Sequence, residues 1–263
     1  ASDVYKRQEM YSAFALPVTI AGRDLSEFGA KMQSWPEISA CEVDAGIFQG
    51  VGRNTMHLLQ QRRGTRRFAC RIDFWGQSPR EWAGNISAFS ALLSDGPVEI
   101  DIGDGYLYQS ILLAESAPIV SGEVVATVEY QFQAVRHWEA RTFKFFTSTD
   151  GDTIIDCQSN IRKTDCTIKL SADSGLAQAS GLRLILNGIS WIYLGAIGGT
   201  TILDGIHKAY TMAMKPISTK LIWTDFPYLI PGENTISIWN ETASGEGGRI
   251  YTDVEITYVP TFL

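Results

Sequence analysis

Strict alternation of apolar and polar residues is clearest over 124–134, where Val124, Ala126, Val128, Tyr130, Phe132 and Ala134 fall on one face and Thr127, Glu129, Gln131 and Gln133 on the other. Successive side chains of a strand point to opposite faces, so this segment predicts a strand with one face in a core and the other wet or covered by a partner. Residues 67–75 repeat the device: Phe68, Cys70, Ile72 and Phe74 point one way, Arg67, Arg71 and Asp73 the other, ending at Gly76. The period then changes from 2 to 3.6 residues. Ser78 reads as an N-cap, Pro79 suits the first helical position, and Glu81 stands three after the cap to complete a capping box. Trp82, Ile86, Phe89 and Leu93, widened by Leu92, form an apolar stripe that stops at Asp95-Gly96-Pro97. Each such side chain contributes about 1.5–3 kcal/mol when buried, so this helix is expected to pack on a sheet.

Shorter signals fill in the rest. Residues 18–28 read as a strand, a turn at Gly22 and a second short element, and 35–64, with four glycines among brief apolar runs, as loop and hairpin. Residues 98–102 and 106–113 flank Gly103-Asp104-Gly105 as a hairpin. The pattern breaks over 136–144 and turns polar over 147–152, which puts a domain boundary near 142. Beyond it no helical period occurs. Strands are expected at 166–170, at 182–187 and 189–194 across Asn187-Gly188, at 200–203 and 206–212 across Asp204-Gly205, and at 217–223, 235–240 and 250–258. Many short strands with evenly spaced turns predict a β-sandwich of jelly-roll type. The fold expected is mostly β: a β-rich domain with one packed helix over 10–142 and an all-β sandwich over 143–263. Residues 1–9 are polar and unpatterned and resemble translated adapter sequence, so they read as a leader foreign to the protein.

Composition agrees with a β-rich chain. Charged residues are 19% of 263, and the 24 Gly, 7 Trp, 10 Tyr and 12 Phe suit half-buried strands and tight turns and argue against disorder or coiled coil. A net charge of −7 disfavours nucleic acid as a main partner, and no apolar run approaches the roughly 20 residues of a membrane helix. Cys41, Cys70, Cys157 and Cys166 form no CxxC pair and read as reduced core thiols, with a Cys157–Cys166 bridge as the alternative.

Reactive constellations are scarce. No nucleophile elbow, phosphate loop, dinucleotide fingerprint or HExxH occurs, and His57, His137 and His207 stand far apart without partners at metal-ligand spacing, so neither an enzyme nor a cofactor is expected. A glycosidase needs only two carboxylates placed by the fold, which sequence does not exclude. Asp101 and Asp104 fit turn chemistry better than a cation site. Arg62, Arg63, Arg66, Arg67 and Arg71 stand out in an acidic chain, as a subunit interface that meets carboxylates or as a solvated turn and strand edge. The one aromatic residue within the run, Phe68, falls on the opposite face of the alternation from Arg67 and Arg71, so none is set beside them to stack bases. Trp191, Trp223 and Trp239, with Tyr193 and Tyr228, are candidates for a sugar-stacking platform or for core and interface packing. Trp239 stands out because Ile236 and Ile238 would occupy the opposite face of its strand.

The order of these features resembles the distal tail protein family of siphophages, the phages with long non-contractile tails. The similar segments are 18–29 (VTIAGRDLSEFG), the strand, helix and hairpin of 68–113, the strand 124–134, and, in the second half, 182–195 (LRLILNGISWIYLG), 200–212 (TTILDGIHKAYTM) and 229–238 (LIPGENTISI). The resemblance covers 10–263. It implies a first domain that forms a homo-hexameric ring joining the tail tube protein to the tail-tip or tail-associated hub protein, and a galectin-like second domain that can dock receptor-binding proteins. Such a protein belongs to the virion, at the tail tip, and is assembled in the host cytoplasm without membrane insertion. Within that frame the arginine group with Glu129 and Gln131 reads as an interface element. The competing function is a carbohydrate-binding adhesion module that recognises host glycans through the tryptophans of the second domain.

Overall fold

A computed structural model describes residues 18–41, 43–49, 56–147, 152–171, 179–217, 221–223, 225–241 and 247–262, of which 43–49 and 56–63 are described by backbone alone. The expected leader, residues 1–9, lies outside them. The chain divides into two compact units, the first closing at Trp138 and the second covering Glu139–Phe262.

In the first unit β1 (Thr19–Ile20), β2 (Arg23–Asp24), β3 (Ala30–Met32), β6 (Arg66–Trp75), β7 (Val98–Asp101), β8 (Leu107–Glu115) and β10 (Val125–His137) form an antiparallel sheet in the order β2-β1-β7-β8-β10-β6-β3, and β9 (Ile119–Val120) joins β10 beyond β8. β6 and β10 pair without a slip from Val125↔Trp75 to Ala134↔Arg66, so Phe68, Cys70, Ile72 and Phe74 share one face with Ala126, Val128, Tyr130 and Phe132. All of these are buried. β4 (Val43–Gln49) and β5 (Met56–Arg63) pair with each other as a separate two-stranded ribbon.

The helix α1 (Pro79–Ser94) lays Ile86, Phe89 and Leu93 on that apolar face. The Phe89 ring meets Phe28, Phe74 and Tyr130 edge-on at 5.4, 5.6 and 5.1 Å, the geometry that aromatic quadrupoles favour. Ser90 Oγ, one position on, lies 3.2 Å from Tyr130 Oη and satisfies the phenol where burial pushes its pKa up. The start of α1 differs from expectation. Ser78 makes no side-chain cap; its carbonyl accepts the Glu81 and Trp82 amides, at 3.0 and 3.3 Å, so the Glu81 amide, one of the two that a cap hydroxyl serves, is already bonded to backbone. Glu81 Oε2 instead accepts from the Gln77 amide at 2.7 Å. The complete capping box sits where the sequence did not advertise a helix, on the 3-10 turn Leu25–Phe28, between Asp24 and Glu27.

The second unit is a two-sheet sandwich. One sheet orders β11 (Arg141–Phe146), β22 (Asp253–Tyr258), β13 (Thr164–Leu170), β16 (Thr201–Asp204), β17 (Ala209–Met212) and β18 (Lys215–Pro216), with β20 (Tyr228–Leu229) also on β13. The other orders β12 (Thr153–Cys157), β21 (Gly232–Asn240), β14 (Gly181–Leu186), β15 (Ile189–Leu194) and β19 (Leu221–Ile222). Ile168, Leu203, Ile256 and Tyr258 of the first sheet share one core with Leu184, Trp191, Ile236 and Ile238 of the second, as inner faces of packed sheets do. The chain is therefore mostly β, with one α-helix among the described residues.

The two predicted hairpins of this unit turn by different physics. Asn187 and Gly188 both have positive φ, 51° and 80°, as a two-residue primed turn requires. Asp204-Gly205 does not form such a turn. β17 begins only at Ala209, and the Asp204 carboxylate holds the longer loop by accepting from the Ile206 and His207 amides, each at 2.9 Å. Gly205 is needed for space: a Cβ there would stand 2.1 Å from the Pro227 carbonyl oxygen and 2.7 Å from that of Cys166. The strand expected over 217–223 is reduced to β19, with 218–220 outside the described residues. None of the four cysteines is joined in a disulfide; Cys70, Cys157 and Cys166 are buried. Burial pushes the Cys70 thiol up to about 12.

Two expectations follow for stability. Ser78→Ala should change the unfolding free energy by less than about 0.5 kcal/mol, whereas Glu81→Ala, which strips the Gln77 amide of its acceptor, should cost about 1 kcal/mol; urea titrations that gave the larger loss at Ser78 would overturn this division. Gly205→Ala should cost about 1–3 kcal/mol because backbone must move. Gly188→Ala, strained only by its φ, should cost about 1 kcal/mol, and melting curves that reversed this order would contradict the close approach at Gly205.

Candidate functional site

Among the described residues no group of three or more His, Cys, Asp or Glu side chains is placed to hold a metal ion. Asp101 Oδ1 accepts from the Gly103 amide at 2.7 Å and Asp104 Oδ1 from the Tyr106 amide at 3.0 Å, so both serve their turn. Asp104 Oδ2 also accepts from Tyr108 Oη at 2.5 Å, which satisfies a buried phenol. His137 Nδ1 lies 2.8 Å from the Trp138 carbonyl oxygen, and exposed His207 pairs with Asp204 at 2.7 Å. The side chain of His57 lies outside the described residues. No helix among them is long and apolar enough to cross a membrane.

What the first unit presents is a sheet face. Alternation along β10 turns Thr127, Glu129, Gln131 and Gln133 away from α1, and the β6 register sets Asp73, Arg71, Ala69 and Arg67 opposite them. Arg71 Nε donates to Glu129 Oε2 at 2.8 Å, and the Gln131 amide nitrogen lies 3.4 Å from Glu129 Oε1. The hydrogen bond from Arg71, followed by that from Gln131, holds the Glu129 carboxyl below the usual carboxylate range. Asp73 Oδ1 accepts from Thr127 Oγ1 at 2.5 Å and from Gln33 Nε2 at 2.7 Å. Exposed apolar side chains border this polar strip: Trp75 opposite Val125, Ile111 opposite Gln133, and Ile119, 69% exposed, opposite Thr127.

The arginine run divides between surfaces. Arg67 and Arg71 join Glu129 and Gln131 on the outward face. Arg66, one residue out of step, points to the side of Phe68, where its Nη1 donates to the Ser39 carbonyl at 3.1 Å; the period of two separates it from its neighbours. Arg62 and Arg63 end β5, opposite Asp44 and Val43 in the ribbon, and their side chains lie outside the description.

The tryptophans also divide. Trp191 is 1% exposed and donates its Nε1 to the Asp225 carbonyl at 2.8 Å, so it is a core residue and no platform. Trp223 is partly exposed and leans on the rings of Tyr210 and Phe226 at 5.2 and 4.8 Å. Trp239 lies on the outward face of β21, opposite Arg183 of β14, with the Arg249 guanidinium 4.8 Å from its ring centre. Arg249 and its ion pair escape sequence reading because their partners are brought close only by the sheet.

No sequence-family model matches the chain, and no curated protein matches it by sequence. Its fold is similar to that of solved phage proteins. The Dit protein of phage SPP1, described as a paradigm of the hub adsorption apparatus in phages infecting Gram-positive hosts, superposes with a TM-score of 0.65 at 16% identity, over 94% of this chain and 99% of its own. A chain of the phage P2 baseplate in its activated conformation with Ca gives a TM-score of 0.52 at 9% identity, over 90% and 92%. The baseplate in its form with Sr gives 0.51. The mostly β fold of this chain is thus shared with phage hub and baseplate proteins along nearly its whole length.

Proposed function

We propose that the chain is a structural protein of a phage tail tip, in which the first unit closes into a six-membered ring between tail tube and baseplate or tip, and the second docks receptor-binding or other tip components. The observation that carries this reading is the extent of the likeness to the SPP1 Dit protein: nearly all of both chains superpose, so the two units occur together in one chain as they do there. In this reading the domain division serves two tasks, and the protein works in the virion after assembly in the host cytoplasm.

Ring closure needs head-to-tail contacts, in which one face of a subunit meets a different face of the next. The outward face of β6 and β10 suits one half of such a contact. Its Arg71–Glu129 ion pair and its Thr127–Asp73 hydrogen bond run across strands, which lowers the entropy lost on docking, and Ile111, Ile119 and Trp75 supply apolar area at its margin. Arg67, Arg71, Glu129 and Gln131 are the residues we assign to it.

Light scattering of the purified chain should give a hexamer or a multiple of one, and negative-stain images should show closed rings; a monomer or dimer at every soluble concentration would overturn the proposal. Ile119→Asp and Arg71→Ala should leave the melting temperature nearly unchanged, because both side chains are exposed. Ile119→Asp should nonetheless convert the ring to smaller species, and a ring of unchanged size in both variants would remove this face from the interface.

A further inference from the structure

The outward face of the second unit's β12-β21-β14-β15-β19 sheet carries one row of side chains unlike the rest of the sandwich surface. Cross-strand register aligns Arg249, Trp239, Arg183, Ile192 and Ile222. The opposite sheet presents what a solvated face presents: Lys144 and Lys169 around Glu255 at 3.4 and 3.9 Å, and the Thr142 and Thr257 hydroxyls 3.0 Å apart. In the Trp239 row an indole stands between two guanidinium groups, each tied to a carboxylate. Arg183 Nη2 donates to Glu241 Oε1 at 2.6 Å, and its Nε, 2.6 Å from Oε2 but out of line for a hydrogen bond, is left without a hydrogen-bond partner. Arg249 Nη2 donates to Asp152 Oδ1 at 3.0 Å. The indole is itself oriented, since Trp239 Nε1 donates to Ser237 Oγ at 3.1 Å.

We propose that this row is a binding site for a neutral saccharide, stacked on the face of Trp239 that Arg249 does not cover and held through its hydroxyls by Arg183 and Glu241. Two arguments select that ligand class. First, a sugar hydroxyl both donates and accepts, so neighbouring hydroxyls are satisfied by a donor beside an acceptor at fixed spacing. An Arg–carboxylate pair supplies this: guanidinium has five N–H donors and an ionised carboxylate about four acceptor sites, more than the single hydrogen bond between Arg183 and Glu241 spends. Second, two guanidinium groups and two carboxylates cancel, so the row has no net charge with which to attract a polyanion, while the indole offers an apolar plane to the C–H face of a pyranose. Stability does not account for the arrangement. The Glu241 side chain is 9% exposed and that of Arg183 35%, and taking the carboxylate out of water offsets much of what the pair gains by attraction. The site does not depend on ring formation and is open to test in a chain of any oligomeric state.

The test is saturation-transfer NMR of the full chain with glucose, galactose, N-acetylglucosamine, lactose and cellobiose, and with glycerol phosphate as an anionic probe. At least one neutral sugar should bind saturably. Trp239→Ala should weaken it about tenfold or more, Arg183→Lys, which keeps the charge and loses the planar set of guanidinium donors, should weaken it severalfold, and Trp223→Ala should leave it unchanged, with thermal melting confirming that each variant is folded. Absence of saturable binding across the neutral panel, preference for glycerol phosphate, or loss of binding in Trp223→Ala but not in Trp239→Ala would each overturn the proposal. Should Trp239→Ala fail to fold, Arg183→Lys decides, because unchanged affinity there also overturns it.

Discussion

The register between β6 and β10 is the constraint on which the first unit depends. Ten consecutive pairs from Val125↔Trp75 to Ala134↔Arg66 fix which side chains face α1 and which face outward. A slip by one residue would turn Phe68, Cys70, Ile72 and Phe74 into solvent and Arg67, Arg71 and Asp73 into the core. The aromatic cluster at Phe89 needs Phe74 and Tyr130 on the same side. The Arg71–Glu129 pair needs those residues opposite each other on the reverse side. One choice of pairing therefore builds the core and the candidate interface together, and neither can be altered without the other.

The second unit spends its special residues at the turns and leaves its faces to regular alternation. Asn187-Gly188 closes β14 on β15 through backbone angles alone, while Asp204 and Gly205 close β16 on β17 through a carboxylate cap and a close approach to Pro227. Each turn fixes the offset of the two strands it joins, β14 against β15 and β16 against β17. The offset of β14 against β21 is what brings Arg183 opposite Trp239. The Asn187 side chain helps to hold that offset, its Oδ1 accepting from the Thr235 amide at 3.0 Å and its Nδ2 donating to Asn234 Oδ1 at 2.8 Å.

The alternating strands, the helix and the Asn187-Gly188 hairpin were legible in the sequence because each signal is local and redundant: period, cap, breaker and turn residues agree over a few positions. What sequence missed depends on groups that local reading does not see. Ser78 has the right identity for a cap, but its own carbonyl takes the first amides and Glu81 serves Gln77 instead. Asp204-Gly205 has the composition of a tight turn, yet its glycine answers to Pro227. The arginines of 62–71 form a run in sequence and not in space, since the strand period sends Arg66 to the side opposite Arg67 and Arg71. Of the three tryptophans read as platform or as core and interface packing, strand parity distinguishes Trp191 as core and Trp239 as outward, but the ion pairs that flank Trp239 come from segments that only the folded sheet brings beside it.

The free cysteines carry a further consequence. Cys70, Cys157 and Cys166 are buried, and desolvation keeps the Cys70 and Cys166 thiols protonated far above neutral pH. Thiolate is the form that oxidants attack, so these sulfurs react only while their core is open. In an oxidising medium the chain then ages at the pace of its own opening, and the sulfurs keep a cumulative record of how often each core has breathed.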